Sequence, residues 1–249
     1  LVSWLLEVPE EQIELEREIE YSFAPIYNDP YIYYPKLIGD LYKTDAMQKM
    51  RRISQFGIKI VGDGVSKQNR LDHCKHTAYL RLEESIYLWQ QGGEVYNDVV
   101  EKNNLKKYLF AEEIKAALHD IGHAPFSHEM DASANNLVDE INFEYDESYP
   151  KASDFIPIQI DENKKGDLKV SHEDIGKMYI QNDKQINEIL GRISGLKEAL
   201  FTVIDQDVFN NKQHNEGNFD VDRKSYILRD SLYYGEPLNY IYPIYKRTS

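Results

Sequence analysis

The feature that most constrains this chain is the stretch Ala117-Leu-His-Asp-Ile-Gly-His-Ala-Pro-Phe-Ser-His-Glu-Met-Asp131, with three histidines (His119, His123, His128) and two aspartates (Asp120, Asp131). The run before it, Glu112 to Leu118, is rich in strong helix formers, so His119 and Asp120 should close a buried helical turn. Gly122 and Pro125 then bend the chain away. Neighbouring helical residues point about 100° apart. His119 and Asp120 therefore share one ion only in a crevice to which other helices bring further ligands. Imidazole with carboxylate suits a first-row divalent metal that keeps positions open for water. A bare His-Asp pair reads more simply as a capping acid beside a core histidine. The Gly122-His-Ala-Pro-Phe-Ser-His128 run shifts the balance toward chemistry.

At 249 residues and 41% apolar content the chain has room for one large helical domain with a substantial core. A net charge of −14 without a long basic run argues against broad nucleic-acid binding through phosphates. It is compatible with a small anionic substrate gripped by a metal and a few local arginines. One cysteine, Cys74, leaves no intramolecular disulfide and fits a reducing, cytoplasmic compartment. No apolar stretch reaches membrane-spanning length, and the opening Leu1-Val-Ser-Trp-Leu-Leu turns acidic too soon for a signal peptide.

Taken in order, residues 3–20 read as an amphipathic acidic helix. Pro25, Pro30 and Pro35 break the tyrosine-rich stretch that follows into turns. Helical periodicity returns from Ile38 to Phe56, with Met47, Met50, Ile53 and Phe56 as core positions and Gly57 as the stop. Ile58 to Gly64 suits a short strand and turn. Asn69 opens a helix running to about Gln91. Arg70 and His73 share its start, a good place for a phosphate-binding cation and a metal ligand. His76, one turn on, is the rival ligand, and spacing does not choose between them. Leu105 to Leu118 forms the helix that carries the central stretch. Residues 155–170 read as a β-hairpin inserted into a helical protein. Ser171 looks like the cap of a helix whose first turn holds His172, Glu173 and Asp174. Helices at about 182–191 and 195–206 follow. Asp222, Tyr226, Arg229 and Asp230 then recur on one side of a last helix, either as a solvated charged face or as part of a site.

Five motifs in order carry a resemblance: Met50-Arg-Arg-Ile-Ser-Gln-Phe-Gly57, Arg70-Leu-Asp-His73, His119-Asp-Ile-Gly-His-Ala-Pro-Phe-Ser-His128, His172-Glu173 and Asp220-Val-Asp-Arg-Lys-Ser-Tyr-Ile-Leu-Arg-Asp230. From about Asp29 to Gly235 the chain resembles the HD-domain metal-dependent phosphohydrolases, and within them the deoxynucleoside triphosphate triphosphohydrolase branch. The resemblance implies an all-α, mainly helical HD-type domain over residues 1–249, its only β excursion the hairpin near 155–170. It implies one divalent ion (Mn, Fe, Co, Ni, Zn or Mg) on His73, His119, Asp120 and Asp222, which selects His73 over His76. It places His123 and His128 against the phosphates. Asp131 and His172 become a proton-transfer pair, and Arg70 and Arg223 cationic contacts to the triphosphate. Gln55, Tyr226 and Asp230 become groups that read the sugar. The implied reaction is attack of water at the α-phosphate, giving a deoxynucleoside and inorganic triphosphate. The implied partner is a nucleotide, most simply a dNTP, bound by a homo-oligomer with no membrane or stable nucleic-acid contact.

The chain departs from that pattern in three places. Where the family has Ser-Leu-Gly after its first ligand, this chain has Cys74-Lys-His76. Ser225 stands where an acid is usual before the tyrosine. The family also uses cationic residues beyond the last motif, so a shortened C-terminus is expected at Ser249. These departures keep two rival functions in play: an HD-type nucleotidase releasing orthophosphate, and a regulatory nucleotide-binding protein with little turnover.

Overall fold

The computed structural model describes residues 17–26, 29–55, 69–90, 105–125, 171–205 and 221–233. A two-stranded antiparallel sheet opens it: β1 (Arg17–Ile26) pairs with β2 (Asp29–Pro35), and the register shifts between Tyr21 and Ile26. Eight α-helices follow: α1 (Lys36–Lys43), α2 (Asp45–Gln48), α3 (Arg70–Gln90), α4 (Leu105–Leu118), α5 (His172–Asn182), α6 (Lys184–Leu190), α7 (Leu196–Asp205) and α8 (Val221–Tyr233). A 3-10 turn, Lys49–Arg52, extends α2. The mainly helical expectation holds.

The strands correct the reading of the first thirty-five residues. The acidic helix expected over 3–20 gives way to β1 from Arg17 onward. Ile19, Tyr21 and Phe23 alternate with Glu18, Glu20 and Ser22, a period of two built from β-branched and aromatic residues. The tyrosine-rich stretch expected as turns is β2, and its proline Pro30 suits an edge strand. The expected hairpin at 155–170 and the strand after Gly57 lie outside the described residues.

The single helix expected from Ile38 to Phe56 is broken at Thr44, whose backbone is extended (φ −62°, ψ 150°). The Thr44 hydroxyl donates to the Leu41 carbonyl (2.7 Å) and accepts from the Met47 amide (3.4 Å), so it ends one helix and caps the next. Met47, Met50 and Ile53 are nevertheless core residues, as their spacing suggests.

The other helices match the reading within a residue or two. Asn69 accepts from the Asp72 amide (2.9 Å) and donates to the Asp72 carboxylate (2.8 Å), starting α3 where expected. Ser171 accepts from the Asp174 amide and caps α5, and Asp183 accepts from the Ile186 amide and caps α6. The core gathers Ile38, Leu41, Met47 and Met50 with Leu71 of α3, Leu109, Ile114 and Leu118 of α4, and Ile186, Leu190 and Leu196 of α6 and α7, all fully buried. In that core α4 lies between α3 and α7, and α8 packs on α3. The starts of α3 and α8 thereby meet the end of α4.

One buried group works against this packing. Glu113 of α4 is 1% exposed, and neither carboxylate oxygen has a hydrogen-bond partner among the described residues. Burial pushes its pKa well above the ordinary glutamate value. A raised folded pKa gives stability that is complete below the unfolded value of about 4.3 and lost as pH climbs through the folded one. Wild-type stability should therefore fall relative to Glu113→Gln as pH rises from about 4 toward 7. Urea unfolding at a series of pH values checks this, and a gap that does not change with pH refutes it.

Candidate metal centre

Three pieces of chain converge on one point. His73 lies in the first turn of α3, His119 and Asp120 follow the last residue of α4, and Asp222 lies in the first turn of α8. His73 Nε2 and His119 Nε2 are 3.3 Å apart, with rings nearly perpendicular (72°). Asp120 Oδ1 is 3.4 Å from His119 Nε2, and Asp120 Oδ2 is 3.9 Å from His73 Nε2. Asp222 Oδ1 is 2.6 Å from His73 Nε2 and 3.5 Å from His119 Nε2. Donors about 2.0–2.2 Å from a shared ion stand roughly 3–3.5 Å from one another, so most of these spacings are those of a ligand set. Two fall outside: His73 to Asp120 is longer, at 3.9 Å, and His73 to Asp222 is a hydrogen-bond distance.

The second nitrogens of both rings are engaged away from this point. His119 Nδ1 lies 2.7 Å from the Ala116 carbonyl, and His73 Nδ1 lies 3.3 Å from Ser225 Oγ. Partners on Nδ1 of this kind turn Nε2 toward a metal. His73, His119 and Asp120 are thus compatible with a metal site in donor types and spacing, and Asp222 stands beside the two histidines.

Its electrostatics point the same way. Asp120 is buried, which by itself would raise its pKa, but His119, His123, His73 and Arg70 hold it well below the ordinary carboxylate range. Asp222 is also held low against desolvation by its hydrogen bonds to His119 and His73. Burial lowers His73. Burial also pulls on His119, but the carboxylates outweigh it and the net shift is well upward. Burial pushes the neighbouring Cys74 thiol up. Two carboxylates thus concentrate negative charge, which a divalent cation would offset.

No family model matches the chain. Over 224 residues it is 25% identical to the uncharacterized protein YwfO of Bacillus subtilis, covering 86% of this chain and 41% of that protein. Over 230 residues it is 24% identical to a deoxynucleoside triphosphate triphosphohydrolase SAMHD1 homolog of Dictyostelium discoideum, covering 89% of this chain and 39% of that one. Its fold is similar to the crystal structure of a phosphohydrolase from Bacteroides thetaiotaomicron, with a TM-score of 0.54, 24% identity and coverage of 88% of this chain and 43% of that chain. This chain shares its fold with that phosphohydrolase. It spans about two fifths of the length of the curated relatives it matches.

The remaining residues that the resemblance implies fall into distinct places. Arg70, implied as a phosphate contact, is buried and places Nη1 2.7 Å from Asp120 Oδ2, so here it holds a carboxylate. His123 is buried with Nε2 3.2 Å from Asp120 Oδ1. His172 is not a surface residue: its ring stacks on His123 at 3.7 Å between centroids, tilted 15°. A carboxylate facing His172 is that of Glu173, at 3.2 Å, a partner the motif contained but the reading passed over. Gln55 is half-buried, and its neighbour Ser54 bridges to Asn69 at the start of α3. Arg223 is exposed, and its Nε donates to the Tyr226 hydroxyl (3.3 Å). His128 and Asp131 lie outside the described residues, as does the side chain of Asp230. The contact between Ser225 and the two histidines of α3, His73 and His76, was missed as well. Its only sequence signal is spacing, since Ser225 follows Asp222, and His76 follows His73, by one helical turn.

Gly122 sets the approach of α5 to this loop. A Cβ placed there would lie 1.8 Å from the His172 carbonyl oxygen and 2.5 Å from the Gly176 amide nitrogen. Both are backbone atoms, so α5 would have to move bodily. Gly122→Ala should lower stability by about 3 kcal/mol or more and separate the His123 and His172 rings. Thermal unfolding and histidine ring NMR shifts check this; a wild-type melting temperature would show that α5 is not seated on Gly122.

Proposed function

We propose that this protein is a metal-dependent phosphohydrolase that acts on deoxynucleoside triphosphates and releases deoxynucleoside and inorganic triphosphate. The observation that carries the reading is the convergence of His73, His119, Asp120 and Asp222 from three separate pieces of chain. These four residues would hold one divalent ion, from among Mn, Fe, Co, Ni, Zn and Mg. When bound, such an ion acidifies water and draws negative charge off a phosphate.

The chain's own groups supply the rest. Arg223, exposed beside Asp222, would meet the phosphate chain, and Tyr226, one turn on, would lie along the sugar. His123 would face the phosphates from the side of Asp120. A deoxynucleoside alkoxide is a poor leaving group, and His172 would give the 5′-oxygen its proton. Glu173, 3.2 Å from its Nε2, would orient the imidazole, a part the resemblance gives to Asp131. The nucleotide-hydrolase name of the Dictyostelium relative and the phosphohydrolase name of the structural neighbour support this chemistry. The lone cysteine, buried at Cys74, suits a cytoplasmic enzyme. No helix among the described residues is long and apolar enough to cross a membrane.

Product analysis tests the reaction. With Mn²⁺ and each dNTP in turn, free triphosphate supports the proposal; orthophosphate points to a nucleotidase, and binding without products to a regulatory protein. Asp222→Ala is the cleanest test of the metal set, because its side chain is 48% exposed and its loss leaves the core intact. It should abolish bound metal and turnover with a small change in melting temperature; full metal content in that variant refutes the ligand assignment. His172→Ala should keep metal but lower turnover roughly 10²–10⁴-fold. Near wild-type turnover in that variant would remove His172 from the chemistry.

A further inference from the structure

The two departures from the family pattern in the interior of the chain touch each other. Ser225 Oγ lies 2.9 Å from His76 Nδ1 and 3.3 Å from His73 Nδ1, and all three side chains are buried. A single hydroxyl thus bridges two imidazoles, one of them a metal ligand under the reading above.

A hydroxyl is an ambivalent partner, since it can donate its one proton or accept another. His119 has no such ambiguity. Its Nδ1 faces the Ala116 carbonyl, which only accepts, so Nδ1 carries the proton and Nε2 keeps its lone pair. For His73 the order of protons along the bridge decides. If Ser225 donates to His73 Nδ1, His73 must carry its proton on Nε2, where Asp222 Oδ1 waits at 2.6 Å. That tautomer cannot ligate. If Ser225 instead donates to His76 Nδ1, its oxygen accepts from His73 Nδ1, and His73 Nε2 is free to bind. Asp222 favours the first order, so the second needs a competing acceptor at the far end of the bridge. His76 Nδ1 is that acceptor.

We propose that His76 and Ser225 form a positioning pair that holds His73 in the tautomer presenting Nε2 to a divalent cation. The inference rests on the metal-site reading. It turns the two substitutions, which singly look like damage to the site, into one compensated unit.

The test is titration of the full chain with Mn²⁺ alone, together with melting temperatures in chelator and in saturating Mn²⁺. Ser225→Ala and His76→Ala should each weaken Mn²⁺ binding roughly 10–100-fold, the usual effect of losing such an outer partner. The double variant should be no weaker than Ser225→Ala, because both residues act through one proton order. His76→Asn, whose carbonyl oxygen can accept from Ser225, should recover part of the loss. A merely structural hydrogen bond would lower the melting temperature equally with and without metal. A positioning pair reduces the rise that Mn²⁺ produces. Wild-type affinity in both single variants, or losses that add in the double, overturns the proposal alone. A wild-type chain that binds no Mn²⁺ overturns both it and the metal-site reading.

Discussion

A carboxylate buried and kept charged is the constraint on which the rest of this structure depends. Asp120 is 2% exposed, yet Arg70, His73, His119 and His123 surround it and hold it ionised. Placing an ion in such a setting is unfavourable by several kcal/mol unless partners compensate. The compensation comes from parts of the chain fifty residues apart, so the start of α3 and the end of α4 must meet for Asp120 to fold at all. Apolar packing of α3 against α4 brings the two elements together; the Arg70–Asp120 pair fixes how they register. Removing either partner would strand the other's charge in the interior, which is why Asp222, not Asp120, isolates the chemistry from the fold.

Much of the site was legible because its residues sit at helix ends, where sequence signals are strongest. Asn69 marks the start of α3 and places His73 in the first turn; Ser171 does the same for α5 and His172. The run up to Leu118 ends where expected and leaves His119 and Asp120 just beyond it. The residue types of the cluster suggested a metal, but the choice of His73 over His76 did not come from spacing. Three residues apart on one helix, both face the same neighbours. What separates them is depth along α8: His73 meets Asp222 in its first turn, and His76 meets Ser225 one turn later. That is a tertiary fact about how α8 lies across α3, and no local pattern encodes it.

The misreadings have local causes. The opening acidic segment mixes glutamates with apolar residues at spacings that satisfy both a helix and a strand, and Ile19, Tyr21 and Phe23 settle on the strand period once β2 is there to pair. Thr44 breaks a run that is apolar at helical spacing on both sides, so periodicity runs through it while its hydroxyl ends one helix and begins another. Arg70 illustrates a different limit. A positive charge beside a metal site suits phosphate in the sequence. In the fold the same guanidinium lies behind Asp120, on the closed side.

That asymmetry of burial bears on how a substrate would approach. His73, Asp120, His123 and Arg70 are sealed, whereas the side chain of Asp222 is about half exposed and that of His119 is 22% exposed. The open side of the cluster is therefore the one formed by the start of α8, where Arg223 also reaches solvent. An anionic group entering from there would meet Arg223, Asp222 and His119 before anything else. The cation it seeks would be backed by carboxylates whose charge Arg70 and the histidines already temper. The two arginines stand in different settings: Arg70 keeps the carboxylate in place, and Arg223 lies open to solvent. Local cationic groups of this kind reconcile an anionic ligand with a chain of net charge −14, because at short range the nearby charges count for more than the total.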